Sequence, residues 1–234
     1  MEFVIEGLCK SFDKKFVLND CNFTFETGKI YGLLGRNGAG KTTLFNCINR
    51  DIDIDAGKFY FLENAGKEDI KTTDIGYVLS TPTVPEFLTA REFLAFFMDI
   101  NREYINSSLP LESYFDLVHI KEDDRGRLLK EFSHGMKNKM QMLVNFIANP
   151  KLLLLDEPLT SLDVVVAEEM KTILRNMKGD RVTILSTHIL DLALDMCDEI
   201  VLLHNGRLEH IDIDMRDEEE TRAKIIAALS EEEV

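Results

Sequence analysis

The stretch that decides the fold is Gly35-Arg36-Asn37-Gly38-Ala39-Gly40-Lys41-Thr42, which has the spacing Gly-x-x-x-x-Gly-Lys-Thr. An apolar run at residues 30–34 precedes it and predicts a buried strand, and residues 43–48 follow with apolar side chains at helical spacing. In such a strand–loop–helix unit, glycines let backbone N–H groups approach phosphate oxygens, and the helix N-terminus adds partial positive charge. We interpret the stretch as a phosphate loop, in which Lys41 reaches the β- and γ-phosphates and the Thr42 hydroxyl binds Mg²⁺.

The composition bounds the class of protein. The 234 residues, 45% of them hydrophobic, suffice for one substantial core with a subdomain. No apolar run approaches the roughly 18 residues of a membrane span, and the N-terminus lacks the regions of a signal peptide. We therefore expect a soluble, intracellular chain. The four cysteines are scattered without C-x-x-C spacing, which predicts reduced thiols and no zinc site: Cys9, Cys21, Cys47 and Cys197.

The net charge also limits the partners. It is −15, from 42 acidic and 27 basic residues. Proteins that bind nucleic acid generally present basic faces, and unaided adhesion to anionic lipid also needs basic residues. We therefore expect no nucleic-acid partner, and the positive field for a bound nucleotide has to be local to Lys41 and the loop dipoles.

Short alternating segments predict an antiparallel β layer beside the phosphate loop. Residues 3–6 predict a first strand, and residues 16–18 and 21–25 predict two further strands around Asn19-Asp20. Phe12 lies in the turn before them, where its ring is either a stacking surface for a base or an ordinary core or loop side chain. Residues 58–62 and 74–79 predict two more strands, with a polar turn between them.

A helical texture follows and predicts an inserted subdomain. Residues 89–98 are amphipathic, with Thr89 as N-cap and Glu92 completing a capping box. A second helix is expected near residues 111–118, and Asp123-Asp124-Arg125-Gly126 predicts a solvated turn.

Ser133 is a candidate N-cap for the next helix. The start of this helix, with Ser133 and Gly135, is also a candidate anion site through its free N–H groups. A stripe along the helix predicts core packing: Met136, Met140, Leu143, Val144 and Ile147.

Two carboxylates follow a leucine run at Leu152-Leu153-Leu154-Leu155-Asp156-Glu157. The leucines predict a strand of a parallel sheet buried on both faces, whose carboxyl end is where open α/β sheets bind ligands. Alternation sends Asp156 and Glu157 in different directions, so one can approach Mg²⁺ and the other an attacking water. The alternative is a pair of surface acids in a solvated turn. Residues 182–186 predict another buried strand, and His188 follows it as a candidate sensor of the γ-phosphate.

The C-terminal part predicts smaller elements. A helix is expected at residues 189–197, and a hairpin at residues 199–204 and 207–210 around Asn205-Gly206. Residues 212–234 form an acidic extension, with a short helix near residues 222–229 that we interpret as a solvated appendage.

Taken in order, these motifs resemble the ATP-binding subunits of ABC transporters over residues 3–210. The resemblance implies an α/β P-loop NTPase with a mainly parallel core sheet, an N-terminal antiparallel β layer and an inserted α-helical subdomain. It places one nucleotide-binding domain at residues 1–211, with the helical subdomain at about residues 83–147, and leaves residues 212–234 as an extension.

The resemblance also assigns roles. Glu157 matches the catalytic base, His188 the switch histidine, and Leu162-Asp163 the D-loop. Thr42 and Asp156 are the implied Mg²⁺ ligands. The implied ATP contacts are Phe12 as the adenine-stacking aromatic, Gly35, Asn37, Gly38, Ala39, Gly40, Lys41, Thr42 and Thr43 in Walker A, Ser133 and Gly135 in the signature motif, and Asp163.

Two motifs depart from the family pattern. The usual Leu-Ser-Gly-Gly-Gln signature is here Phe132-Ser133-His134-Gly135-Met136, a Ser-x-Gly-Met form that resembles the ATPases of ABC-2-type permeases, often exporters. At the Q-loop, Ser80 stands where Gln or Glu is expected. A shorter side chain reaches Mg²⁺ poorly, so coupling to the permease is altered or a water fills the gap.

The resemblance finally implies the partners. A second ABC ATPase subunit, identical or different, packs head to tail to enclose two ATP molecules, and a separate transmembrane permease recruits the pair to the cytoplasmic face of the cell membrane. One alternative is a non-transport ABC ATPase acting on ribosomes or DNA, which a single phosphate loop, the lack of heptads and the acidic charge disfavour. Another is a weakly active regulatory subunit, which Ser80 favours and Glu157 and His188 disfavour.

Overall fold

In the computed structural model, the described residues are 1–105, 109–160, 162–176, 178–211 and 218–230. The strands are β1 (Glu2–Phe12), β2 (Lys15–Glu26), β3 (Ile30–Leu34), β4 (Ala56–Glu63), β5 (Gly66–Glu68), β6 (Ile75–Val78), β7 (Leu152–Asp156), β8 (Val182–Thr187), β9 (Glu199–His204) and β10 (Arg207–Ile211). The helices are α1 (Lys41–Ile48), α2 (Ala90–Ile100), α3 (Leu111–Leu117), α4 (Glu122–Arg125), α5 (His134–Ala148), α6 (Val164–Asn176), α7 (Leu190–Met196) and α8 (Glu218–Ser230).

A six-stranded sheet forms the centre of the molecule, in the order β10-β9-β3-β8-β7-β6. Its pairs are parallel except for the β9–β10 hairpin, which confirms the predicted mainly parallel core. Every residue of β3, β7 and β8 is buried, as expected for apolar strands covered on both faces. In this register Leu34 lies beside Thr187 and Asp156 beside Ser186, so the loops after β3, β7 and β8 meet at one edge.

The predicted antiparallel layer is present as a second sheet, in the order β2-β1-β4-β5. The prediction of two strands around Asn19-Asp20 is wrong, because β2 is continuous. Asp20 has a φ of 59° and the pairing with β1 shifts register there, so the polar pair makes a bulge and not a turn. Phe12 is likewise the last residue of β1, and the turn is Asp13-Lys14, with φ of 47° and 71°.

The helical segment contains α2, α3, α4 and α5 as an insertion between β6 and β7. The predicted capping box is confirmed, since the Thr89 hydroxyl accepts from Glu92 N at 3.1 Å and Thr89 N donates to Glu92 Oε2 at 2.9 Å. The second predicted helix is α3.

The prediction of a solvated turn at residues 123–126 is wrong. Residues Glu122–Arg125 form the one-turn helix α4, and Arg125 is buried. Its guanidinium can leave water because it pairs with Glu112 and Asp116 and donates to the Ile120 carbonyl.

The leucines of β7 divide the interior between its two faces. Leu153 and Leu155 pack with the helical segment, whereas Leu152 and Leu154 pack with the antiparallel layer and α1. Side chains that alternate along one strand therefore join both halves of the core to the sheet that carries the phosphate loop.

The C-terminal helix differs from the prediction of a solvated appendage. Ile225 of α8 is fully buried and packs in one cluster with Leu34, Ile200 and Leu202. An isoleucine at this position extends the core over β9, because the outer face of that strand is apolar. The proposed boundary at residue 212 lies outside the described residues.

No helix in the described part of the chain is long and apolar enough to cross a membrane. The four cysteines are all free thiols, as predicted.

Candidate functional site

The phosphate loop joins β3 to α1 in a path that requires small residues. Gly40 has a φ of +106°, and a Cβ there would lie 2.8 Å from Val17 Cγ1. A Cβ at Gly35 would lie 2.8 Å from the Leu203 carbonyl oxygen. Because neither position tolerates a side chain, the backbone of the loop can approach a ligand closely and α1 can begin at Lys41.

Lys41 supplies the positive charge of the loop from a buried position, with 6% of the residue exposed. Its Nζ donates to the carbonyl oxygens of Gly35 at 2.8 Å and Arg36 at 3.3 Å. The same Nζ lies 3.6 Å from Glu157 Oε1. The ammonium is therefore held by its own loop, with one side turned to an anion.

Asp156 is buried at the carboxyl end of β7 and accepts two hydrogen bonds. Thr42 Oγ1 donates to its Oδ2 at 2.9 Å, and Ser186 Oγ donates to its Oδ1 at 2.6 Å. The oxygens of Thr42 and Asp156 thus lie side by side. Mg²⁺ prefers such hard oxygen ligands and is commonly held by one or two protein oxygens plus substrate phosphates, so this pair fits the ion.

Glu157 directly follows the last residue of β7 and contacts different partners from those of Asp156. Its Oε1 and Oε2 lie 2.9 Å and 3.0 Å from His188 Nδ1, and Thr160 Oγ1 donates to Oε2 at 3.0 Å. Glu157 also has a φ of 49°, which is unusual for a residue with a long side chain. Such a conformation persists only where the surroundings determine it, and here it aims the carboxylate at Lys41 and His188.

Phe12 ends the hairpin that covers the phosphate loop. Its ring is 47% exposed, which excludes the core alternative, and Lys10 Nζ lies 5.3 Å from the ring centroid. Strand β2 brings Val17 of the same hairpin against Gly40. The exposed Phe12 ring therefore lies in the same region of the molecule as the start of α1.

The signature residues lie at the start of α5. Ser133 is exposed and caps the helix, with its Oγ accepting from Met136 N at 3.2 Å. Gly135 is buried, and a Cβ there would lie 2.9 Å from Val166 Cγ1 at the beginning of α6. Asp163 caps α6, because its Oδ1 accepts from Val166 N at 3.0 Å.

Within one chain, these signature and D-loop residues do not complete the phosphate-loop site. Among the described residues, no hydrogen bond or ion pair joins Ser133, Gly135 or Asp163 to Lys41 or Glu157. The structure thus separates the expected site residues into two groups on one chain.

Burial keeps two ionisable groups beside α1 uncharged. It raises the pKa of the Cys47 thiol to about 11. Burial, together with the Asp156 carboxylate, also raises the pKa of Tyr77, whose hydroxyl donates to Asn46 Oδ1 at 3.1 Å. Neither group adds a negative charge that would oppose phosphate.

The sequence interpretation missed two hydroxyls. Ser186 donates to Asp156 and accepts from Glu157 N at 3.1 Å, and Thr160 donates to Glu157. Ser186 could have been found from the parallel register, since Asp156, the last residue of β7, lies beside Ser186, the next-to-last residue of β8. Thr160 offered no such signal, because it lies in the irregular segment after Pro158.

A profile of the family described as ABC transporter matches residues 18–160, more than half of the 234-residue chain. The chain belongs to the ABC transporter family. Two curated relatives extend this match. Lantibiotic transport ATP-binding protein SrtF of Streptococcus pyogenes is 30% identical over 206 residues, which cover 87% of this chain and 87% of that protein. Bacitracin transport ATP-binding protein BcrA of Enterococcus faecalis is 31% identical over 214 residues, which cover 89% of this chain and 68% of that protein.

The fold is also similar to that of solved ABC transporter subunits. A solved ATP-binding subunit of an ABC transporter has a TM-score of 0.79 at 23% identity, covering 99% of this chain and 100% of that one. This structure confirms the P-loop fold that the sequence predicted. The family match and the two relatives show that this ABC transporter chain is an ATP-binding subunit. Its activity is ATP hydrolysis coupled to transport, in agreement with the interpretation of the sequence as the ATP-binding subunit of a transporter.

Proposed function

We propose that this ABC transporter subunit hydrolyses ATP within a head-to-tail pair of ATPase subunits and so drives a separate membrane permease. One observation carries the proposal. The edge of the central sheet brings a buried ammonium, a hydroxyl–carboxylate pair and a second carboxylate with its histidine into one site: Lys41, Thr42, Asp156, Glu157 and His188. Phosphoryl transfer to water needs little more than such positioning and charge stabilisation.

Lys41 and the loop N–H groups bind the phosphates in this proposal. The carboxylate of Glu157 lies 3.6 Å from Lys41 Nζ, and this contact supports binding of an anion at that side of the ammonium. Asn37 and Gly38 contribute backbone donors in the exposed part of the loop, beside the half-buried Ala39, whose N–H donates to the Arg36 carbonyl at 3.1 Å. Thr43 follows in α1, and the exposed Phe12 ring stacks on the adenine.

Thr42 and Asp156 are the residues that would hold Mg²⁺. The ion would neutralise charge on the phosphates during transfer. Ser186 orients Asp156, because it donates a hydrogen bond of 2.6 Å to the carboxylate oxygen that does not face Thr42.

Glu157 is the general base in this proposal. Its carboxylate takes the proton of the attacking water, and His188 Nδ1, at 2.9 Å, fixes its direction. The contact uses His188 Nδ1, which supports a role for the other ring nitrogen as a hydrogen-bonding partner of the γ-phosphate, as in a switch histidine.

A second ATPase subunit explains why Ser133 and Gly135 stand apart from Lys41. The free N-terminus of α5 presents donors to a phosphate bound by the other copy. The D-loop supports the same arrangement, since Val164 and Val165 beside Asp163 are 80% and 68% exposed. Adjacent exposed valines favour burial against another protein surface.

Membership of the ABC transporter family supports a membrane permease as the partner of this subunit. We propose that the helical segment and the loop that contains Ser80 dock cytoplasmic helices of a permease, which holds the subunit at the cytoplasmic face of the cell membrane. The Ser133-His134-Gly135-Met136 form supports export, and the names of SrtF and BcrA associate those two relatives with transport of lantibiotic and bacitracin.

The test compares the native chain with Glu157→Gln, in which the carboxylate becomes an uncharged amide of the same size. We expect Mg²⁺-dependent ATP hydrolysis by the native chain, and a rate lower by at least about 100-fold for Glu157→Gln, the range for loss of a general base. Glu157→Gln should also form an ATP-dependent dimer in sedimentation velocity. Hydrolysis at the native rate by the variant would contradict the role of Glu157.

The partner is tested by affinity purification of tagged Glu157→Gln from detergent-solubilised membranes in ATP. Recovery of a multispanning protein would support the permease, and a different ATPase subunit in the complex would indicate a heterodimer. Recovery with ribosomal or DNA-processing proteins, without a membrane partner, would contradict the proposal.

A further inference from the structure

Helix α5 carries buried amides on a face other than that of the predicted apolar stripe, whose Met140, Leu143 and Ile147 are buried in the core as predicted. Asn138 is 1% exposed and Gln141 is 7% exposed. Gln141 faces the loop after β6 and Asn145, one turn further on, faces β6, and Asn138 shares their side of α5 by its helical spacing. Burying an amide costs free energy of folding unless the amide is hydrogen-bonded. Packing alone therefore does not explain amides at these positions.

Gln141 joins α5 to the backbone of that loop. Leu79 N, directly before Ser80, donates to Gln141 Oε1 at 3.2 Å. The donor is a backbone N–H, and this fixes the amide with its oxygen toward the loop. Gln141 Nε2 and Asn138 Oδ1 are buried without a hydrogen-bond partner in the part of the chain that the structure describes.

Strand β6 and helix α5 also lie in close contact at Gly76 and Asn145. Asn145 Nδ2 donates to the Gln141 carbonyl at 2.9 Å, and a Cβ at Gly76 would lie 2.3 Å from Asn145 Oδ1. The strand β6 therefore lies directly on the helix, and the loop leaving β6 is tied to α5 one turn later. Motion of this loop has to be accompanied by α5 as long as the Gln141 bond is intact.

We propose that Gln141 is a positioning residue that makes the Ser80 loop and the Ser133 end of α5 move as one unit. The proposal deepens the proposed function and rests on it. Along α5, Gln141 and Ser133 are separated by about 12 Å of helix. Over this short length the helix acts as a rigid rod, so a displacement of the loop at Gln141 also displaces Ser133. The short Ser80 side chain does not have to reach the site for the loop to act on it, because the link runs through Leu79 N and Gln141.

The unpaired amide groups add a free-energy cost to the link. In this structure a donor on Gln141 and an acceptor on Asn138, three residues apart on one helix face, are left without partners. Buried polar groups in this condition are costly, so the link through Gln141 is not held at the lowest cost in this arrangement.

The test uses the full chain in the Glu157→Gln background, with hydrogen exchange and ATP-dependent dimerisation as separate readouts. Gln141→Met keeps the side-chain length and removes both hydrogen-bonding groups. Gln141→Glu keeps an acceptor for Leu79 N. Met142→Leu is the matched control, because Met142 is a fully buried neighbour on the same helix and the swap conserves volume.

We expect the Leu79 amide to exchange more slowly than that of Ser80 in the parent chain, and to lose this protection in Gln141→Met. Dimerisation in ATP should weaken about fivefold in Gln141→Met, the factor expected for one neutral hydrogen bond. Monomer binding of ADP should be unchanged, since the phosphate loop is not involved. Gln141→Glu should restore the protection of Leu79, and Met142→Leu should change neither readout.

Four results would overturn the inference. They are rapid exchange of Leu79 in the parent chain, unchanged exchange in Gln141→Met, faster exchange with unchanged dimerisation, and equal effects in Met142→Leu. If the parent Glu157→Gln chain does not dimerise in ATP, the proposed function fails instead. The exchange of Leu79 then still decides whether Gln141 holds the loop.

Discussion

The hydroxyl of Ser186 offers a test of how the two carboxylates at the end of β7 are held. Its Oγ donates to Asp156 Oδ1 at 2.6 Å and accepts from Glu157 N at 3.1 Å, in a fully buried position. In Ser186→Ala, Glu157 N keeps the Ser186 carbonyl at 3.2 Å, and Asp156 Oδ2 keeps Thr42. The main loss is one hydrogen bond to a buried charge, so we expect about 2 kcal/mol less free energy of unfolding.

Urea unfolding followed by circular dichroism measures this loss directly. For a chain of this size, about 2 kcal/mol also lowers Tm by roughly 4–8 °C. Thr172→Ala is the matched control, because its hydroxyl donates to the Glu168 carbonyl at 3.0 Å on an exposed part of α6. We expect the control to stay within about 0.5 kcal/mol of the native chain, as for most surface substitutions.

The reasoning fails if Ser186→Ala unfolds at the same urea concentration as Thr172→Ala. That result would mean that the Asp156 carboxylate does not depend on Ser186, and that the parallel register brings the two residues together without an energetic consequence. A loss confined to the ATPase rate, with native stability, would also contradict the magnitude derived from burial.

Three further predictions address other parts of the molecule. Gly135→Ala places a Cβ 2.9 Å from Val166 Cγ1, so we expect a loss of about 1 kcal/mol in urea unfolding. We also expect weaker ATP-dependent dimerisation, measured by sedimentation. Ile225→Ala should cost about 3 kcal/mol and expose α8 to limited proteolysis, because Ile225 is fully buried. A solvated helix would show neither effect. Burial raises the pKa of Cys47 to about 11, so in the folded chain only about one Cys47 thiol in a thousand is ionised at pH 8. Cys47 should therefore resist iodoacetamide at pH 8 until urea unfolds the chain.

The elements that the sequence predicted well are those with a strong local signal. The phosphate loop, the leucine strand β7 and the capping box at Thr89 each combine a pattern with a physical reason that tertiary contacts do not override. The Asn205-Gly206 hairpin belongs to the same group, with φ of 48° and 71° at its two turn residues.

The errors arose where tertiary contacts decide. Asn19-Asp20 has turn chemistry, yet β1 on one side keeps β2 continuous through a bulge. Arg125 and its acidic neighbours are polar enough for a solvated turn, but Glu112 and Asp116 come from another helix to neutralise the guanidinium. Ile225 is one apolar residue in an acidic stretch, and its burial depends on the apolar face of β9.

The candidate site divides in the same way. Motif spacing pointed to Lys41, Asp156 and Glu157, because a phosphate loop and paired carboxylates have recognisable spacing. Ser186, Thr160 and Gln141 were not singled out, because each acts through a partner that is distant in sequence. A hydroxyl or amide of this kind becomes visible only when the register of the sheet and the packing of α5 are known.

The contacts of Glu157 suggest an order of events at the site. Its carboxylate is shared between Lys41 at 3.6 Å and His188 at 2.9 Å, so a phosphate that binds Lys41 competes with Glu157 for the same ammonium. Under the proposed function, phosphate binding would turn the carboxylate away from Lys41, toward His188 and the position of the attacking water. The proposed base would then be released by the ligand on which it acts, and the positive φ of Glu157 supports this, because it directs the side chain at both partners.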